Sequence, residues 1–512
     1  MVMKNHLGIM SYILLMCICM SYAKPSIPDT LQFGVATSAY QVEGAWNEGE
    51  KGENQWDRLT HGKPQKIKDK SNADITCDSY HKFMDDVQLL KAMNVDFYKF
   101  SISWSRIFPT GYTNSINADG IRYYNDLIDE LIVNGIKPVA TMFHWDLPQA
   151  LQEKGGWMNE QLIDVFETYA NLLFSIYGNK VRDWITFDDP NRFCFDNYYQ
   201  EVTFADGLIH EGNSGYLCAH TVLRSHGRVY KIYNTRYRTR QRGRIGISLG
   251  ATWMERGLKS ESDVELSRLA MEIELGWFAH PIFSKEGDYP PELAKQLEMF
   301  AQRQQMTTFK LPDFPKDEVE LIRGSADFIG LSHFISKICD GSRPNINQEG
   351  NHFFGIDFCT EHRTPRPTGV SWVNPVPWGI KNLLKWVKEE YNSPEIFITA
   401  NGYPDSGNEH DCRRVHYMNV YLEHVAAAIE EDGCNVTAYT VWSLLDNFNW
   451  YKGYTEKYGL YRVDFTNPER PRKPKLSSVT YANIIKTRKI DWGFSPEHYR
   501  ECRWNRLNET ED

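Results

Sequence analysis

Several residues in this chain suit the recognition of a polyhydroxylated ligand. Gln41, His144 with Trp145 and Asp146, Asp188 with Asp189, Ser332 to Phe334, Ala400 with Asn401, and Trp442 to Asn447 stand at or just beyond runs that read as strands. Tryptophans, amides, a histidine and carboxylates brought to one rim make a polar, aromatic pocket. Sugars fit such a pocket, because their axial C–H faces pack on indole while their hydroxyls need paired donors and acceptors. Each residue also has a plainer reading. Asp188 and Asp189 precede Pro190, where acids serve as turn or cap formers. His144 suits a hydrogen-bonded core histidine, and Trp442 and Trp450 suit core aromatics.

The elements that must position these residues follow from periodicity. Tyr124, Leu127, Ile128, Leu131 and Ile132 fall on one helical face, Asn134-Gly135 offers a stop, and Ile136 to Phe143 reads as a buried strand. The beat repeats: Leu162, Val165, Phe166, Tyr169, Leu172, Leu173 and Ile176 share a face, and Val181 to Phe187 follows as strand. The other expected strands are Leu31 to Ala36, Val95 to Ile102, Arg244 to Leu249, Asp327 to Leu331, Glu395 to Thr399 and Val436 to Ser443. Strands alternating with helices imply a parallel sheet, and eight such units predict an α/β fold closed as a (β/α)8 TIM barrel with chemistry at the C-terminal strand ends. No glycine-rich phosphate loop follows the first strand, which disfavours a nucleotide-binding open sheet. Glu286 to Arg323 and His333 to Trp378, rich in Pro, Gly and polar residues, are expected as loops and short helices on the rim.

Composition narrows the classes. The 512 residues are 41% hydrophobic, 13% aromatic and 24% charged, which excludes collagenous and disordered chains. With 57 Lys+Arg against 67 Asp+Glu the net charge is -10, and no basic block exceeds Arg236 to Arg244, so nucleic acid is not an expected partner. Lys4, the apolar stretch Leu7 to Met20 and the small residues of Ser21-Tyr22-Ala23 read as a signal peptide over residues 1–23. The barrel is then expected over 24–490, with a tail at 491–512. The protein is expected to be secreted or lumenal, without stable membrane insertion. Cys77, Cys194, Cys218, Cys339, Cys359, Cys412, Cys434 and Cys502 remain after cleavage; sequence alone cannot pair them, and their spacing gives a zinc site little support. Asn435 and Asn508 open glycosylation sequons that fit export.

Four separated blocks carry a resemblance over roughly Leu31 to Lys486. They are Phe33 to Gly44 (FGVATSAYQVEG), Phe100 to Arg106 (FSISWSR), His144 to Pro148 (HWDLP), and Trp442 to Phe448 (WSLLDNF) continuing to Gly459-Leu460-Tyr461. On these the chain resembles glycoside hydrolase family 1, which includes β-glucosidases, lactase and myrosinases. The resemblance implies a two-carboxylate retaining mechanism. A Glu in Thr-Phe-Asn-Glu-Pro protonates the leaving oxygen, and a Glu in Ile-Thr-Glu-Asn-Gly attacks the anomeric carbon to form a covalent glycosyl intermediate. It implies no metal or organic cofactor, since carboxylates and water suffice.

Both positions differ here. The first motif reads Thr186-Phe187-Asp188-Asp189-Pro190 and the second Ile398-Thr399-Ala400-Asn401-Gly402. Asp189 keeps an acid at the acid/base position, one methylene shorter, and a misplacement of about 1 Å can cost on the order of a hundredfold. Ala400 has no nucleophile. The family pattern implies that an Arg and a Tyr hold the nucleophile; Lys99 and Phe334 stand there, with Ser332 in place of an Asn. The Glu that binds outer sugar hydroxyls is Asn449. Gln41, His144, Trp442 and Trp450 are retained at positions that contact the sugar in relatives.

Three functions follow as expectations. The first is an exported β-glycosidase-like protein that binds a small-molecule β-glycoside in the barrel mouth with retaining hydrolysis lost. The second is a β-glucosidase or transglycosidase with a rerouted mechanism, Asp189 as acid and Asp188 as base. The third is a scaffold that binds a protein partner through the rim loops, centred on Glu286 to Trp378.

Overall fold

The computed structural model describes residues 26–198, 214–257, 262–303, 311–340, 359–362, 373–496 and 502. The expected signal peptide, parts of the rim segments, most of the tail and the Asn508 sequon lie outside them.

Eight strands close a barrel: β1 (Gln32–Ala36), β2 (Phe97–Ser101), β3 (Lys137–Phe143), β4 (Asp183–Asp188), β5 (Arg244–Gly250), β6 (Phe328–Ser332), β7 (Ile396–Asn401) and β8 (Val436–Trp442). Every neighbouring pair is parallel, and β1 pairs with both β2 and β8, so no edge remains. This is the (β/α)8 TIM barrel that the alternation predicts. The expected strands match the observed ones with ends displaced by one or two residues. The helices read from the two apolar faces are Ala118–Val133 and Gln161–Tyr177.

Inside the barrel, Phe97, Val139, Ile185, Phe328, Phe397 and Ala438 from six strands form a closed plug. Two glycines make room for it. A Cβ on Gly34 of β1 would lie 2.1 Å from the Phe97 ring, and one on Gly246 of β5 would lie 2.4 Å from the Phe328 ring. The plug seals the lower barrel, so the opening lies at the C-terminal ends of the strands, as in other barrels of this kind.

The rim differs from expectation in one respect. His333 to Trp378 contains strands: Ser336–Cys339 pairs in parallel with Trp253–Arg256 and antiparallel with Cys359–Glu361, making a small separate sheet. The Cys339–Cys359 disulfide joins two of its strands. Such short strands have too few residues for an alternating pattern to stand out in sequence, and the cross-link supplies what length does not. Two further disulfides are Cys194–Cys218 and Cys412–Cys502, while Cys77 and Cys434 are free and buried.

Candidate active site

A cavity of about 350 Å³ opens at the C-terminal face of the barrel. His144, Trp145, Asp188, Asp189, Ser332, Phe334, Ala400, Trp442, Asn449 and Trp450 line it, together with Arg192, Thr252, Lys452, Glu456 and Tyr458. Residues from distant parts of the chain meet here because strand ends converge on one rim.

Its floor is charged. Asp188, the last residue of β4, forms an ion pair with Lys99 of β2, and both side chains are almost fully buried. His144 Nδ1 lies 3.5 Å from the same carboxylate, and Ser248 Oγ donates to Asp188 Oδ1 at 3.3 Å. Burial alone would raise the Asp188 pKa; the Lys99 ammonium, His144 and hydrogen bonds from Lys99 and Ser248 outweigh it and bring it below the usual carboxylate value. Burial pushes His144 down to about 4 against the pull of Asp188, so the imidazole is neutral at neutral pH.

Asp189 behaves in the opposite way. Burial, then repulsion from Asp188, lifts its carboxyl to about 7. Ser332 Oγ donates to Asp189 Oδ2 at 2.9 Å, and Oδ1 is buried without a partner among the described residues. Its carbonyl accepts from Arg192 N at 3.0 Å and Phe193 N at 3.1 Å, opening the helix Pro190–Tyr198. The main chain of Asp189 therefore starts a helix, while its carboxyl serves the cavity. Two adjacent carboxyls with pKa values driven apart are the arrangement that separates an acid from a fixed charge.

The walls are aromatic. Trp145 stacks on Trp450 at 5.0 Å and 26°, and Tyr40 backs Trp450 at 5.8 Å and 8°. His144 packs near-parallel to Trp442 at 5.9 Å. Trp145 is fixed by its Nε1–H, which donates to the Asp188 carbonyl at 2.9 Å. Ala400, 4% exposed, packs with Ala36, Trp442 and Tyr458, against which Phe334 also lies. At the outer wall Asn449 Nδ2 donates to Glu456 Oε2 at 2.9 Å.

The Glycosyl hydrolase family 1 profile matches residues 23–490. The chain belongs to that family. Within family 1 it is 43% identical over 466 residues to Myrosinase 1 of Brevicoryne brassicae, covering 90% of this chain and 99% of that protein. It is 37% identical over 471 residues to the cytosolic β-glucosidase of Homo sapiens, covering 91% and 99%. Against human lactase/phlorizin hydrolase the figure is 40%, covering 89% of this chain and 24% of that longer protein. The solved structure of an aphid myrosinase superposes with a TM-score of 0.85 at 41% identity, over 91% of this chain and 100% of that one. A rice β-glucosidase gives 0.82 at 37%, over 90% and 99%.

Of the residues singled out in sequence, the family 1 barrel brings Asp188, Asp189, Ala400, His144, Trp442, Asn449 and Trp450 to one cavity. Gln41 stands behind the wall. Its Nε2 donates to Asn447 Oδ1 at 3.1 Å and to the Phe448 carbonyl at 2.8 Å, and its Oε1 accepts from Ser38 Oγ at 2.7 Å. These bonds hold the loop that carries Asn449 and Trp450. Sequence reasoning missed Arg192, Glu456 and Tyr458. Arg192 stands one helical turn beyond Asp189, a spacing that places both at the same helix start. Glu456 is a charged residue that is only 2% exposed, inside an aromatic stretch that already carried the resemblance.

Among the described residues, His410, Cys412 and Cys502 cluster closely enough to suit a metal ion. The two sulfurs are bonded to each other, so neither offers a thiolate. No described helix is long and apolar enough to cross a membrane.

Proposed function

We propose that this family 1 chain binds a β-glycoside in the barrel mouth and does not hydrolyse it through a covalent glycosyl intermediate. One observation carries the reading. The cavity wall at position 400 is a methyl packed among Trp442, Tyr458 and Phe334, while Asp189 Oδ1, in the same cavity lining, is a buried polar atom without a partner among the described residues. A retaining displacement needs a nucleophile on the face opposite the acid, and Ala400 supplies none. The aromatic surfaces and open polar positions suit a sugar ring.

The replaced supports agree with this reading. Lys99 and Phe334, which the resemblance assigns to holding a nucleophile, have other occupations here. Lys99 pairs with Asp188, and Phe334 meets Tyr458 edge-on at 6.0 Å. The tested outcome is binding without turnover. Calorimetry with aryl β-glycosides is expected to show saturable heat, and the purified protein is expected to release no phenol at enzymatic rates, on the order of 1 per second or more. Hydrolysis at such a rate overturns the reading.

A rerouted hydrolase draws support from one observation: a carboxyl at about 7 is well suited to donate a proton. Its base is the weaker half, because Asp188 is already neutralised by Lys99. Inversion at the anomeric carbon in any residual product identifies this route.

Export of a cleaved chain over 24–490 with a short tail is part of the same proposal. Three disulfides support it, one of them tying Cys502 of the tail to Cys412. The sequon residue Asn435 is exposed at the foot of β8, where a glycan would stand clear of the cavity.

A further inference from the structure

We propose that the Tyr458 hydroxyl is a ligand contact, hydrogen-bonding to a hydroxyl of the pyranoside in the barrel mouth; the assignment rests on the glycoside-binding reading above. Tyr458 lies between the short helical turn Trp450–Lys452 and the strand Tyr461–Val463. Its carbonyl accepts from Ser443 N at 3.1 Å and from the buried Arg414 guanidinium, so its backbone is fixed to the end of β8. Its ring, 3% exposed, packs with Ala36, Ala400, Trp442 and Phe334. It therefore closes the cavity on the side where residue 400 contributes only a methyl.

The hydroxyl is the unusual feature. Tyr458 lines the cavity, yet its Oη is buried and has no hydrogen-bond partner among the described residues. Buried hydroxyls in native proteins are matched by a protein group, water or ligand, because an unmatched one loses its hydration without return. Of its packing neighbours, Ala36, Ala400 and Phe334 carry no polar side-chain atom, and Trp442 carries only its indole N–H. Burial, followed by the charge of Glu456, pushes the phenol well above its ordinary value, so it stays a neutral hydroxyl that can donate and accept. A neutral hydroxyl on the cavity wall suits a sugar hydroxyl and holds it without chemistry.

The test is calorimetry of the full chain with phenyl β-D-glucopyranoside and its monodeoxy analogues, comparing wild type with Y458F. The substitution keeps the ring and its packing, and thermal melting checks that the fold is intact. Y458F is expected to weaken binding of the parent glycoside about three- to tenfold, the range of one neutral hydrogen bond. The loss is expected to vanish for the analogue that lacks the hydroxyl Tyr458 contacts. Equal affinity of the two proteins for the parent, or the same loss against every analogue, overturns the assignment and leaves glycoside binding standing. If wild type binds none of these glycosides, the binding reading falls and the assignment falls with it.

Discussion

Lys99 and Asp188 form an ion pair across the barrel mouth, from strands β2 and β4 that are not neighbours, with side chains 1% and 3% exposed. The resemblance assigns the cation at position 99 to a carboxylate at position 400. With Ala400 there, Asp188 supplies the negative charge instead. A buried ammonium needs a partner; under the proposed function, position 188 has exchanged places with position 400 as the source of its negative charge.

Removing one partner of a buried pair leaves the other uncompensated, which costs about 3 kcal/mol or more. D188N is therefore expected to lower unfolding stability by about 3 kcal/mol in urea denaturation. A loss under about 1 kcal/mol would mean that another group compensates Lys99.

The same pair controls any attempt to revive hydrolysis. In A400E/D189E two carboxylates compete for one buried cation, and the restored Glu is held off its productive position. Adding D188N frees Lys99 for residue 400 and is expected to raise aryl β-glucoside hydrolysis about a hundredfold over A400E/D189E, the scale of a 1 Å correction. Initial-rate assays check this. Equal rates with and without D188N would refute the charge exchange.

Asp189 gives a pH signature. Its carboxyl titrates at about 7 in the folded protein, raised first by burial and then by Asp188, against 3.8 for an ordinary Asp. Between these values the native state binds more protons than the unfolded state, so this residue makes stability fall as pH rises from about 4 to about 7. D189N removes that slope. The variant is expected to match wild type near pH 4 and to exceed it in stability near pH 7.5, measured by denaturation at each pH. The Asp188 contribution runs the other way, since a depressed pKa gives stability that is lost only as pH falls below the ordinary 3.8, outside the window compared. A constant difference between variant and wild type across the range would contradict the assignment.

At the outer wall, the Asn449 amide donates to a buried glutamate. N449D replaces that donor with a second carboxylate facing Glu456. It is expected to lower the melting temperature at pH 7 through repulsion between two like charges. N449D/E456Q is expected to recover most of the loss at pH 7. Differential scanning calorimetry of wild type, N449D, E456Q and N449D/E456Q measures it.

Much of this was legible in the sequence. The strands were readable because parallel barrel strands are continuous apolar runs that end where polar side chains begin, and Ile136 to Phe143 is a clear case. Asp188, Asp189 and Ala400 were legible because strand ends share a rim, whatever their separation in the chain. The Lys99–Asp188 pair was not. It joins residues on strands separated by β3, and which partner a buried cation takes depends on barrel closure. The position of Gln41 behind the wall was hidden for a related reason: its amide is consumed by Asn447 and Phe448, some four hundred residues away. Tyr458 gave no signal, since an aromatic in an aromatic-rich segment reads as core until its hydroxyl is found unmatched.

The central claim concerns residue 400, and trapping tests it most directly. The protein is incubated with an activated 2-deoxy-2-fluoro aryl β-glucoside, which accumulates a covalent glycosyl-enzyme wherever a nucleophile attacks, and its intact mass is measured. The account predicts an unchanged mass for the wild-type chain and a single added glycosyl unit for A400E/D188N. A stoichiometric adduct on the wild-type protein, at any residue, contradicts it.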